Sequence, residues 1–143
     1  LLSEKKVDVD IEEMIVFLQN GTQYAVPLVM LAEIRALNRV TPLPLIADYI
    51  IGVINVRGRI MPVYRFNRNG SREENGFALV GAAASAHVSI WADDSLGAMT
   101  VSKSDIKPAP VSFSQNFIRG VSSSGMVFID LEKFVNDKKF YMA

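Results

Sequence analysis

Glycine, asparagine, proline and serine interrupt this chain about every 8 to 12 residues, leaving short runs rich in β-branched and aromatic side chains between them. Strands fit such runs; helices, which need longer periodic stretches, do not. The sharpest instance is "MIVFLQNGTQYAVPL", two β-prone runs flanking Asn20-Gly21, a dipeptide that readily adopts the positive φ angles of a tight hairpin turn. In "GVINVRGRIMPVYRF" the runs Gly52 to Val56 and Arg59 to Phe66 read as two strands hinged at Gly58. Between these hairpins, "LVMLAEIRALNRV" suits a helical turn passing into a strand, with its boundary open, and "TPLPLIADY" is a rigid proline connection.

The polar stretch "NRNGSREENG", residues 67–76, divides the chain. Beyond it, strands are expected near Phe77 to Val80, His87 to Ala92 and Leu96 to Val101, with turn formers at Asp93-Asp94-Ser95. "KPAPVSFSQNFI" resembles the earlier proline connection. "GVSSSGMVFIDLEKFV" then echoes the hairpin at Gly52: a glycine, a short run, a second glycine, and a hydrophobic strand ending in "IDL" where the first has "YRF". The last helix candidate is Leu131 to Lys139. These signals predict an all-β chain of two similar halves built as small barrels rather than an α/β sheet.

Composition bounds the function. At 143 residues the chain forms one domain that buries about two-thirds of its unfolded surface. With no cysteine, disulfides, thiolate nucleophiles and thiolate metal sites are excluded. No apolar run approaches the roughly 18 residues of a membrane span, and the first residues lack the pattern of a secretory signal, so a soluble, cytoplasmic protein is expected. His87 is the single histidine, which suits a structural or surface role better than a general base. Ser122, Ser123 and Ser124 lack a G-x-S-x-G elbow, and no glycine-rich phosphate cradle occurs. Neither enzyme activity nor a metal or other cofactor is expected.

The unusual feature is arginine. No carboxylate lies between Asp48 and Glu73, while Arg57, Arg59, Arg65, Arg68 and Arg72 all fall there. Strand alternation predicts that Ile60, Pro62, Tyr64 and Phe66 face a core, while Arg59, Met61, Val63 and Arg65 share the other face. An apolar pair bracketed by arginines suits a protein interface, or equally arginine stems covering apolar neighbours.

Residues Gly52 to Val63, "GVINVRGRIMPV", match position by position the core motif of the CheW-like domains of bacterial chemotaxis, G-V-x-N-hydrophobic-R-G-x-hydrophobic-x-P-hydrophobic. The flanking stretches "MIVFLQNGTQYAVPLVMLAEI", "VSIWADDSLGAMTVSKSDIKPAP" and "FIRGVSSSGMVFIDLEKFV" resemble the same family in order, from about Met14 to Val135. The resemblance implies two small five-stranded SH3-like β-barrels packed together, with short helical segments. The expected organisation is a tail over 1–13, one domain over 14–135 with halves 14–66 and 77–135 around the loop 67–76, and a tail over 136–143.

It also implies a non-catalytic scaffold that couples the cytoplasmic tip of methyl-accepting chemoreceptors to the regulatory domain of a CheA-type histidine kinase. Carried over by motif, Leu31, Glu33 and Arg35 in "LAEIR", with Gly52, Asn55, Arg57, Gly58 and the adjoining Arg59, fall in the region implicated in those contacts. Arg65-Phe66 stands where the family commonly has Asp-Leu, adding charge near the expected interface. Neither nucleic acid nor direct membrane insertion is expected. The main alternative is a nucleic-acid-binding small barrel using the arginines of 57–72, with Tyr64 and Phe66 to stack bases; a purine-binding barrel ranks behind it.

Overall fold

A computed structural model describes residues 10–42, 49–66, 74–83, 86–109 and 116–136. Asn20 and Gly21 turn the chain at φ 53° and 80°. Strands β1 (Ile11–Gln19) and β2 (Thr22–Pro27) therefore pair antiparallel, with Gln19 opposite Thr22. One 3₁₀ turn, Leu28–Met30, follows, and β3 (Leu31–Arg39) begins at once. β4 (Ile50–Val56) and β5 (Arg59–Tyr64) form the second hairpin, and β6 (Glu74–Ala83), β7 (Ala86–Ala92) and β8 (Asp94–Ser102) are longer strands. After a 3₁₀ turn at Lys103–Asp105 come β9 (Ile118–Val121), β10 (Val127–Ile129) and a short helix, α1 (Leu131–Asn136).

The strands make two five-stranded sheets, ordered β8-β1-β2-β10-β9 and β3-β6-β7-β5-β4. Each contains one parallel pair, β2 with β10 and β5 with β7. Each is also drawn round by a single bridge beyond its edge strand, Thr41 to Val53 in one and Lys107 to Val121 in the other. The sheets are thus two barrels of one topology, permuted in sequence: β3 to β7 run consecutively, and β8, β9 and β10 are completed by β1 and β2. The echo between "GVINVRG" and "GVSSSG" falls on corresponding hairpins, β4-β5 and β9-β10. The sheets do not follow the expected halves 14–66 and 77–135. The β1-β2 hairpin cannot cover its own faces, so the returning C-terminal strands complete its sheet.

Three apolar clusters explain the long hydrophobic runs. Met14, Val16, Ala25, Val101, Met126 and Phe128 fill the first barrel, and Val56, Met61, Val63, Ala78, Val80 and Trp91 fill the second. A shared core lies between them, built on Phe17, Tyr24, Tyr64, Phe66, Leu79, Ile90, Phe117 and Phe134. Alternate residues of β1, β6, β7 and β10 therefore enter a barrel or the shared core, and both faces are buried over those stretches; β5 does so only at its end, where Val63 enters the barrel and Tyr64 the shared core. This corrects the expected division of β5. Met61 and Val63 point into the barrel, and Ile60, assigned to the core, is 63% exposed.

Arg65 is also placed differently from the expectation. It is 2% exposed, with Nη2 3.9 Å from Asp93 Oδ2. Asp93 further accepts hydrogen bonds from Trp91 Nε1 and the Asn20 backbone N–H, both at 2.7 Å. Gln19 donates to the Trp91 carbonyl and accepts from the Phe66 N–H. This polar group ties the first hairpin to the second barrel, and it takes Arg65 away from any docking surface.

Candidate protein-docking site

The β4-β5 turn is set by its own residues. Arg57 and Gly58 adopt φ 52° and 84°, and Asn55 Oδ1 accepts a 2.8 Å hydrogen bond from the Gly58 N–H. A left-handed arginine is unfavourable by about 1–2 kcal/mol, so the turn persists because surrounding contacts hold it. One of them is an ion pair: Arg57 Nη1 donates to Glu33 Oε1 at 2.8 Å, while Arg35 Nε lies 3.4 Å from Glu33 Oε2. Glu33 is 22% exposed against 74% for Arg57. The carboxylate thus sits low, and the guanidinium reaches over it from solvent.

This pair stands at the edge of a cavity of about 610 Å³ at the mouth of the second barrel. Leu31, Val56, Met61 and Val80 give it an apolar lining, and Arg59 and His87 also border it. Val29, at 89% exposure, stands on its rim. An apolar recess beside a rigid, charged turn can bury a partner's side chain and fix its orientation.

Of the expected site residues, Leu31, Glu33, Arg57 and Arg59 meet at the cavity. Arg35 joins them through Glu33, and Asn55 and Gly58 build the turn. Gly52 is elsewhere, in β4 against the Thr41 carbonyl, where a Cβ would collide. Its role is to let the barrel close. Sequence reasoning puts Met61 on the arginine-bracketed face and His87 in a structural or surface role; Val80, Gly81 and Ala82 it does not pick out. Pairing of β6 with both β3 and β7 brings them in, and nothing in local sequence signals that.

The arginine window does not form one surface. Arg65 is buried, Arg57 is paired with Glu33, and Arg68 and Arg72 lie outside the described residues. The nucleic-acid reading gives these arginines the phosphates and Tyr64 and Phe66 the bases, but Tyr64, Arg65 and Phe66 are all buried.

A family model described as the CheW-like domain matches residues 13–139. The chemotaxis protein CheW of Klebsiella aerogenes is 26% identical over 139 residues, covering 90% of this chain and 84% of the relative. That of Rhizobium meliloti is 32% identical over 117 residues, 76% of each chain. The crystal structure of the scaffolding protein TtCheW from Thermoanaerobacter tengcongensis shares the fold. Its TM-score is 0.70 at 18% identity, over 90% of this chain and 94% of that one. With the matching motif carried on the β4-β5 turn, this chain belongs to the CheW-like domain family.

Proposed function

We propose that the cavity bordered by Leu31, Glu33, Arg57 and Arg59 is a docking site through which this domain meets its signalling partners. The chain is a chemotaxis adaptor that couples receptors to a CheA-type kinase. The surfaces it uses are the kinase's regulatory domain and the cytoplasmic tip of methyl-accepting receptors, and the coupling is scaffolding in the cytoplasm, without catalysis. Among the described residues no helix is long and apolar enough to cross a membrane. Two barrels joined by a shared core form a stiff body, so a partner held at one face keeps a defined orientation to a partner held at another.

The observation that carries the docking site is the Arg57 turn. Its left-handed backbone, its bond to Asn55 and its pair with Glu33 fix a charged group beside an apolar recess before any partner arrives. Replacing Arg57 with glutamate sets two carboxylates together and reverses the charge of the rim. Calorimetric titration with the kinase regulatory domain and with a receptor-tip fragment should show at least one affinity fall about thirtyfold, the loss of a hot-spot arginine. The exposed side chain leaves the melting transition in place. Unchanged affinity for both partners removes Arg57 from the site.

A further inference from the structure

The charges round the cavity are unequally occupied. Glu33 is already engaged by Arg57 and Arg35. The Arg59 side chain is exposed and makes no hydrogen bond or ion pair with any described residue. The cavity border therefore holds two arginines against one carboxylate, and one guanidinium is available to a newcomer.

Strand geometry puts that guanidinium where a docked side chain would end. Arg59 starts the row of β5 that continues into Met61 and Val63, the barrel interior. His87 starts the equivalent row of β7, which continues into Ser89 and Trp91, both fully buried. β5 and β7 are hydrogen-bonded neighbours, with Val63 beside Ser89. Arg59 and His87 thus stand on adjacent strands at the barrel mouth, His87 level with Met61 and Arg59 one step further out. A partner that fills the recess covers Arg59, and covering an unpaired charge is unfavourable unless an anion comes with the partner.

We propose that the cavity selects a polypeptide segment in which a carboxylate flanks the apolar side chain that enters it, the carboxylate pairing with Arg59 while the Arg57–Glu33 pair stays intact. The inference rests on the docking reading above and adds the chemistry of the partner. Segments with lysine or arginine at that position are rejected by the same rim.

The test compares the intact chain with Arg59→Gln and Arg59→Glu, each titrated with the kinase regulatory domain and the receptor-tip fragment at low and moderate salt. For the partner that Arg57→Glu weakens, Arg59→Gln should lose about tenfold in affinity and much of the salt dependence, and Arg59→Glu should lose more. Changing the matching partner carboxylate to arginine should restore binding to Arg59→Glu and not to the unaltered chain. If both Arg59 variants bind like the unaltered chain while Arg57→Glu does not, the docking site stands and the carboxylate is wrong. If neither partner binds the unaltered chain, the docking reading falls and this inference with it.

Discussion

The two barrels have one strand order and one closing bridge, yet their corresponding hairpins have different chemistry. In the second barrel the β4-β5 turn is Arg57-Gly58, held by Asn55 and Glu33 and edged by a charged apolar cavity. In the first barrel the β9-β10 turn is built of serines: Ser122 Oγ accepts a 3.0 Å bond from the Met126 N–H and lies 2.9 Å from Ser124 Oγ. The strands that follow diverge as well. After β10, Asp130 Oδ1 accepts from the Lys133 N–H at 3.0 Å and caps α1, which sends Leu131, Phe134 and Val135 into the shared core. After β5, Arg65 occupies the corresponding place and is buried against Asp93. One scaffold thus carries a capped, serine-turned end and an end with a charged turn beside an apolar cavity, and the difference lies in the few residues that terminate each hairpin.

The sharing of one core by two barrels predicts that they unfold together. Phe128→Ala empties part of the first barrel, at an expected loss of about 3–5 kcal/mol. Trp91, the single tryptophan, lies inside the second. In urea denaturation, Trp91 fluorescence and far-UV circular dichroism should shift to the same lower midpoint. A tryptophan signal that keeps the midpoint of the unaltered chain would show two independent barrels.

A smaller effect tests how closely the barrels correspond. Gly52 and Gly120 sit on β4 and β9, and a Cβ on either would strike the carbonyl of the closing bridge, from Thr41 or Lys107 respectively. Gly52→Ala and Gly120→Ala should each destabilise by about 1–3 kcal/mol, and to a similar degree. A neutral result at one glycine alone would mean that only the other barrel needs close backbone approach to shut.

Much of this was legible residue by residue. Asn20-Gly21 and Arg57-Gly58 marked their turns through backbone chemistry, and the β-prone runs of β1 and β2 and the alternation of β7 marked strands. Arg57 of the motif and the adjoining Arg59, with Leu31 and Glu33 from "LAEIR", are four of the residues that line the cavity. What stayed hidden is long-range. The parallel pairs Tyr24 with Val127 and Val63 with Ser89 have no local signature, and they decide which strands share a barrel. For the same reason β5 was misread: its arginine-bracketed row enters a barrel at Met61 and Val63, while the other row reaches the shared core only at Tyr64 and leaves Ile60 in solvent. Arg65 was placed at an interface because its partner, Asp93, follows β7, whose parallel pairing with β5 has no local signature.

The most direct measurement is a backbone and methyl NMR titration of the labelled chain with the kinase regulatory domain and, separately, with the receptor-tip fragment. The account predicts that at least one partner shifts signals clustered at Leu31, Glu33, Val56, Arg57, Arg59 and Met61, round the mouth of the second barrel. Shifts confined to the serine turn and the first barrel for both partners would contradict it.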